Sequence, residues 1–114
     1  VIGMEASIFK ALGDPIRLEL VRRLADGAQH TMGNLTDDLR ISRQGARKQV
    51  HVLVSANIVR LRPDGRNIYV SLDMKSLARG REFISHIERQ WDARLSKLKE
   101  FVESKQAPRN KRRR

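Results

Sequence analysis

Residues 41–54, ISRQGARKQVHVLV, divide their side chains between two faces of a helix. The apolar face, followed just beyond the quoted stretch, carries Ala46, Val50, Leu53, Val54 and Asn57. The polar face carries Arg43, Gln44, Arg47, Lys48 and His51. Ser42 lies directly before the helix, where a hydroxyl is a favoured N-cap. The stretch therefore predicts an amphipathic helix that buries one face and leaves cations and amides on the other.

A shorter helix is predicted just before this one, in HTMGNLTDDLRIS at residues 30–42. Its apolar positions are Met32, Leu35 and Leu39. Thr31 lies near its start, and the chain turns at Arg40 and Ile41. A short helix, a tight turn and a second amphipathic helix together predict a helix-turn-helix.

Two further helices are predicted upstream. MEASIFKALG places Ile8 and Leu12 four residues apart, on one side of a short helix. GDPIRLELVRRLADG begins with Asp14 as N-cap and Pro15 at the first helical position, and Gly27 suits the residue just past the end. The apolar repeat of this second helix comprises Ile16, Leu20 and Leu24. Such a repeat is typical of a helix that faces a core.

A β-hairpin, here called the wing, is predicted after the helix-turn-helix. Its strands are IVRLR and NIYVSL, and PDGR joins them with Asp64-Gly65 as the two-residue turn. Arg62, Arg66 and Asn67 flank this turn. They are therefore placed to contact a polyanion beside the helix-turn-helix.

The last predicted helix, over residues 74–105, has one apolar stripe. Four of its residues are spaced by seven, namely Leu77, Ile84, Trp91 and Leu98. Ile87, Leu95 and Val102 lie beside them. A chain of this size gains stability by burying such a stripe against a second copy, so the stripe predicts a homodimer.

Basic residues are in excess, with 24 Lys and Arg against 13 Asp and Glu, for a formal charge of +11. This balance favours binding to phosphate backbones or to anionic membrane surfaces. Residues 39–63 contain six basic residues and no acid, and residues 105–114 contain six more and no acid. We predict a folded domain over residues 1–104 and a disordered basic tail over residues 105–114.

Several classes of protein are disfavoured by what the sequence lacks. Without cysteine there is no disulfide, thiolate nucleophile or cysteine-ligated metal, which fits a cytoplasmic protein. We expect no secretion signal and no membrane span, because the apolar runs are short. The adjacent carboxylates Asp37 and Asp38 point in different directions, and no glycine-rich phosphate loop occurs, so we expect no enzyme. The scattered His30, His51 and His86 predict neither a metal site nor a cofactor.

The order of these elements resembles the ArsR-type (arsenical-repressor) family of winged helix-turn-helix transcription regulators. The resemblance covers residues 5–103, and its most specific stretches are FKALGDPIRLELVRRLADG and ISRQGARKQVHVLVSANIVRLRPDGRNIYVSL. The stretch WDARLSKLKEF resembles the metal-free subset of the family. The resemblance implies a mainly α fold with a small β-hairpin, in which four helices precede the wing and a fifth helix follows it. It also implies a wing role for Arg66 and dimer contacts from the first and last helices.

Departures from the family pattern bear on metal sensing. Metal-sensing members carry a Cys-x-Cys box where this chain has Thr31 and Gly33, and His86 has no later histidine to complete a second family site. Gly45 also departs, since an interior helical glycine costs about 0.8–1 kcal/mol relative to alanine. We interpret it as a tolerated first-turn residue; close approach of the backbone to phosphate is the alternative.

The sequence thus predicts a homodimeric repressor that recognises an imperfect palindrome in double-stranded DNA. The expected DNA contacts are Thr31, Ser42, Arg43, Gln44, Arg47, Lys48, Arg62, Arg66 and Asn67. The expected dimer contacts are Ile8, Ile84, Ile87, Trp91, Leu95 and Leu98. A winged-helix module that binds RNA or docks a protein is the alternative, although few aromatic residues are available to stack on bases. No effector is indicated.

Overall fold

The computed structural model of the chain describes the backbone of residues 2–112 and the side chains of residues 3–105. The elements in chain order are α1 (Ile2–Leu12), α2 (Pro15–Leu24), β1 (His30–Thr31), α3 (Met32–Leu35), α4 (Arg43–Ser55), β2 (Val59–Asp64), β3 (Asn67–Leu72) and α5 (Met74–Arg112). Within these residues the predicted order of five helices and a hairpin is confirmed.

Asp14 begins α2 as predicted. Its Oδ1 accepts hydrogen bonds from the backbone N–H groups of Ile16, at 2.9 Å, and Arg17, at 3.1 Å. Two donors at the helix start therefore have a partner inside the protein. The helix ends at Leu24, earlier than Gly27 suggests, and Gly27 takes a φ of +80° in the turn that follows.

The sheet has three antiparallel strands in the order β1-β3-β2, one more than the sequence predicts. The added strand, β1, is only two residues long, with His30 opposite Val70 and Thr31 opposite Tyr69. Thr31 is also the N-cap of α3, since its Oγ1 accepts a hydrogen bond from Asn34 N at 3.2 Å. The wing is therefore joined directly to the start of the helix-turn-helix.

The turn of the wing lies one residue later than predicted. Asp64 pairs with Asn67 across the hairpin, so the two turn residues are Gly65 and Arg66. Gly65 has a φ of +63°, which glycine adopts without the steric cost of a side chain. A positive φ at the first turn residue alone is typical of a type II′ turn. Arg66 consequently lies at the tip of the wing.

The core lies where α2, α4 and the sheet meet. Its largest fully buried side chains are Leu20, Leu24, Leu35, Val50, Leu53, Ile58 and Val70. Ala46, Val50 and Leu53 are buried on α4, which confirms these three positions of the predicted apolar face. Val54 is only half-buried, and the prediction that Asn57 shares this face is wrong, because Asn57 is exposed and lies beyond the end of the helix. Close packing of this kind fixes the rotation of α4 about its own axis.

Ile8 belongs to this core, which leaves little of its side chain for the predicted dimer interface. Its side chain is 3% exposed within the single chain, so little of it remains for a second copy. A β-carbon added at Gly80 would lie 3.5 Å from Ile8 Cγ2, so the start of α5 packs closely on α1. The apolar side of α1 is thus used inside the chain.

The chain divides into two compact units, Val1–Gly80 and Arg81–Arg114. The second unit consists of α5 beyond Gly80. The backbone helix continues to Arg112, whereas the side chains of residues 106–114 lie outside the described residues, so the basic tail stays a prediction. None of the described helices, including α5, has a stretch long and apolar enough to cross a membrane.

Replacing Asp14 by alanine is expected to lower the free energy of unfolding by about 1 kcal/mol, because two N–H groups lose their acceptor. Urea titration followed by circular dichroism, at one protein concentration, measures the change. The matched control is Asp37→Ala, which removes an exposed carboxylate. An equal loss in the two variants would contradict the capping role.

Candidate nucleic-acid interface

Both ends of α4 are closed by local hydrogen bonds. Ser42 Oγ accepts from Gly45 N at 3.0 Å, which confirms Ser42 as the N-cap. At the other end Asn57 has a φ of +61°, its N–H donates to Val54 O, and Ile58 N donates to Leu53 O. This pair of bonds is the Schellman motif, which satisfies carbonyls that a helix end leaves free. The helix therefore begins and ends at defined residues.

Gly45 lies in the first turn of α4, close to the cap. A β-carbon added there would approach Ser42 Oγ to 3.1 Å, a tight contact with the capping hydroxyl. Glycine thus leaves room for the capping hydroxyl. This explanation for Gly45 differs from both interpretations of the sequence, a tolerated residue or a backbone close to phosphate. Approach of this backbone to a phosphate stays a prediction.

The polar face of α4 is exposed and unpaired. Arg43, Gln44, Arg47 and Lys48 all lie in solvent. Among the residues whose side chains are described, none of these four forms a hydrogen bond or an ion pair through its side chain. A cation without an internal partner keeps its full charge and all its donors for an external anion. Such a row on one helix is suited to binding nucleic acid.

Other arginines of the chain are used internally. Arg22 and Arg23 both bind the carboxylate of Glu19, and these hydrogen bonds lower its pKa to about 2. Arg60 pairs with Asp73 at 3.1 Å on the opposite end of the wing from the turn. The charge excess alone does not distinguish these arginines from the unpaired ones, whereas their contacts do.

The wing residues differ in the same way. Arg62 donates to Gln29 Oε1 at 2.7 Å, lies 3.6 Å from Asp64 Oδ2, and stacks over the ring of Tyr69 at 4.8 Å. Arg66, at the tip, has no ion pair among the described residues. Arg62 is therefore held against the wing surface, and Arg66 is the freer of the two cations.

The two predicted hydroxyl contacts are both helix caps. Thr31 caps α3 and Ser42 caps α4, so each oxygen already accepts one hydrogen bond. A hydroxyl retains its own donor when it accepts, and that hydrogen remains available to a phosphate oxygen. Their contact with DNA stays a prediction.

Arg40 is a candidate to which the sequence assigns no contact. It lines, together with Arg43 and Arg47, a groove of about 460 Å³ between α3 and the start of α4. Asp37 and Asp38 also line this groove. The signal that includes Arg40 is the acid-free span of residues 39–63, in which it is the first cation.

The apolar stripe of α5 is exposed from Ile84 onward, whereas its first residue, Leu77, is half-buried against the core. Ile84, Ile87, Trp91, Leu95 and Leu98 are between 39% and 59% exposed. Phe101 and Val102 continue the same exposed series. Single exposed apolar residues are ordinary, but a continuous series on one helix indicates a surface that binds another protein.

No group of three or more His, Asp or Glu side chains suited to a metal ion occurs in the part of the chain that the structure describes. His30 and Asp26 form a pair, whose Nε2 and Oδ1 atoms lie 3.1 Å apart. The expectation that the protein works without a metal stays a prediction.

Comparison with known proteins agrees with this geometry. The profile of a family described as a helix-turn-helix domain matches residues 12–62, which include α2, α3 and α4. An HTH-type transcriptional regulator of Mycobacterium tuberculosis is 32% identical over 96 residues, covering 84% of this chain and 86% of that protein. These matches are both to helix-turn-helix proteins, and the second is to a transcription regulator.

Two further comparisons decide the family. A transcriptional repressor SmtB homologue of Synechocystis is 33% identical over 84 residues, covering 73% of this chain and 63% of that protein. The structure of an ArsR-like transcriptional regulator from Rhodococcus has a TM-score of 0.75 and 28% identity, covering 88% of this chain and 93% of that chain. The chain belongs to the ArsR-type family of winged helix-turn-helix transcription regulators. It is accordingly a DNA-binding transcription regulator.

Metal chelation is expected to leave the affinity for DNA unchanged, because cysteine is absent and no ligand cluster is formed by the described residues. Fluorescence anisotropy with a labelled duplex, before and after EDTA treatment and after addition of zinc, measures this. A change of tenfold or more, about 1.4 kcal/mol, would show a metal site assembled between two copies.

Proposed function

We propose that this regulator is a homodimeric repressor that binds an imperfect palindromic operator in double-stranded DNA, in the cytoplasm. The observation that carries the proposal is the unpaired polar face of α4, where Arg43, Gln44, Arg47 and Lys48 have no internal partner among the described residues. Basic side chains that stabilise the fold form ion pairs within the chain, as Arg22 and Arg23 do with Glu19.

The first two turns of α4 are proposed to enter the major groove. Arginine and lysine side chains bind the O6 and N7 atoms of guanine, and glutamine binds the N6 and N7 atoms of adenine. Gln44 and Arg47 are our candidates for base recognition, because α4 is rotationally fixed by its buried residues and presents them outward. Arg43 and Lys48 are equally exposed and reach bases or phosphates from the same turns.

The surrounding contacts are proposed to go to the DNA backbone. Arg66 at the tip of the wing extends toward phosphate or the minor groove, with Asn67 beside it and Arg62 farther back. Arg40, Thr31 and Ser42 contact phosphates near the turn of the helix-turn-helix. Such contacts orient the protein on the duplex and carry no base information.

The apolar stripe of α5 is the proposed dimer interface. In the single chain this surface is partly exposed to water, and it consists of Ile84, Ile87, Trp91, Leu95 and Leu98. Each large apolar side chain gains about 1.5–3 kcal/mol when it is fully buried. A two-fold dimer places two copies of α4 on two half-sites, and hence the operator is expected to be palindromic.

Repression is the proposed outcome of binding. A dimer on a promoter occludes the polymerase without any further activity, and the Synechocystis relative is named a transcriptional repressor. The basic tail, residues 105–114, is proposed to add affinity for any duplex through its six Lys and Arg residues.

Replacing Gln44 or Arg47 by alanine is expected to cost about 1–3 kcal/mol in binding to the operator, because a base contact exists only at the right sequence. Random duplex of equal length should lose much less. The operator is obtained by selecting from a pool of random duplexes with the wild-type protein, and both affinities are measured at several salt concentrations.

Removal of residues 105–114 is the contrasting variant. It should weaken operator and random duplex by similar factors and reduce the salt dependence, because phosphate neutralisation carries no sequence information. If the deletion abolishes discrimination while the Gln44 and Arg47 variants retain it, α4 is not the recognition helix.

Replacing Trp91 by glutamate is expected to give monomers that bind the operator weakly, because a symmetric interface would bury two unpaired charges. Sedimentation velocity measures the oligomeric state. The matched control is Ser96→Glu, which adds the same charge at an exposed position on the other side of α5. Dimers of unchanged stability in the Trp91 variant would overturn the interface.

A further inference from the structure

Three arginines on α2 differ in how they are bound. Among the residues whose side chains are described, Arg22 forms hydrogen bonds and an ion pair with Glu19 alone, on its own helix, and its side chain is 71% exposed. Arg17 and Arg23 are more enclosed and donate hydrogen bonds to other elements of the fold. The sequence alone does not distinguish the three arginines, since all of them lie outside the apolar repeat of this helix.

Arg23 joins α2 to the turn of the helix-turn-helix. Its Nη1 donates to the carbonyl oxygens of Leu35, at 2.9 Å, and Asp37, at 2.6 Å. Leu35 is the last residue of α3, where carbonyls have no partner within the helix. The opposite side of the guanidinium, Nε, donates to Glu19 Oε2 at 2.9 Å, which orients the group.

The turn that Arg23 holds has an uncommon backbone. Asp38 has a φ of +59° and Arg40 a φ of +61°, both in the left-handed region that side chains disfavour. Residues in this region stay there only when their surroundings hold them. The bond from Arg23 to Asp37 O fixes the peptide directly before Asp38, so it acts at the first of these two positions.

Arg17 joins α2 to α4 itself. Its Nη1 donates to Gln49 Oε1 at 2.7 Å, and Gln49 lies on α4 between Lys48 and the buried Val50. Its Nε donates to Ala11 O at 2.6 Å and its Nη2 lies 3.4 Å from Lys10 O, both in the last turn of α1. One side chain therefore ties the end of α1 to the middle of α4.

We propose that Arg23 and Arg17 are positioning residues for DNA recognition: Arg23 fixes the turn before α4, and Arg17 fixes α4 through Gln49. In this proposal neither Arg17 nor Arg23 contacts DNA. Each acts on the direction in which Gln44 and Arg47 point, and base recognition tolerates only small errors of position. The proposal rests on the recognition role of α4 argued above.

The test compares Arg23→Gln and Arg17→Gln with Arg22→Gln, a control that removes the same charge from the same helix and also removes a partner of Glu19. Each variant is measured against the selected operator and a random duplex. The two positioning variants should lose about tenfold on the operator, the size of one well-made base contact, with little change on random duplex. The control should leave the ratio of the two affinities at its wild-type value.

A merely structural role would give a different result. In that case the Arg23 and Arg17 variants would have a lower melting temperature but would retain the wild-type affinity ratio when assayed well below it, and the proposal would be overturned. Arg23→Lys and Arg17→Lys serve where a glutamine variant does not fold. They keep the charge but lack the fork of donors, so they should also lose discrimination.

Amide hydrogen exchange without DNA gives a second, independent measurement. Residues 38–41 should exchange faster in Arg23→Gln than in Arg22→Gln, while amides of α5 exchange equally in both. Equal exchange in the turn would overturn the role of Arg23. If the wild-type protein selects no preferred duplex, the proposed function fails, and exchange still decides whether Arg23 holds the turn.

Discussion

The burial of the apolar face of α4 is the constraint on which the rest of the structure depends. Ala46, Val50 and Leu53 are at most 1% exposed, so the helix has one rotational setting that keeps all three out of water. A rotation that exposed one of the larger two would cost about 1.5–3 kcal/mol. The polar face is thereby aimed outward by packing on the opposite side, and α2 and the sheet supply the surface against which it packs.

The basic side chains of the protein fall into two groups, according to whether they have a hydrogen-bond or ion-pair partner within the chain. Arg17, Arg23 and Arg60 donate to carbonyl, amide or carboxylate oxygens of the chain, and these contacts hold the fold. The cations of α4 have no such partner among the described side chains. A formal charge of +11 therefore describes two populations, of which the unpaired one is available to an external polyanion.

Local patterns account for what the sequence predicts correctly. The caps Asp14 and Ser42 act within three residues, and the apolar repeats follow the helical period, so both are readable without tertiary contacts. The wing turn is predicted one residue early because Asp64-Gly65 and Gly65-Arg66 both suit a glycine turn. Only the pairing of Asp64 with Asn67 decides between them.

What the sequence does not predict depends on distant partners. β1 has two residues, too few to show a period, and Arg17 meets Gln49 only because the fold brings them together across 32 positions. An apolar residue at helical spacing, such as Ile8, is expected both in the core of a chain and in a dimer interface, so the spacing does not distinguish the two. The residues around the turn do not distinguish Arg62 from Arg66, and only the family resemblance favours Arg66. The physical difference between them, the contacts of Arg62 with Gln29 and Tyr69, depends on the folded structure.

The double use of Thr31 has a mechanical consequence. One residue is both a strand partner of Tyr69 and the cap of α3, so no flexible linker separates the wing from the helix-turn-helix. In the proposed complex the distance between the wing tip and α4 is consequently fixed by the fold of the protein. One base pair inserted into a half-site between the positions contacted by the wing tip and by α4 would move these positions apart by one step of the duplex. Because the wing and the helix-turn-helix are joined directly at Thr31, the protein could not adjust to the longer spacing.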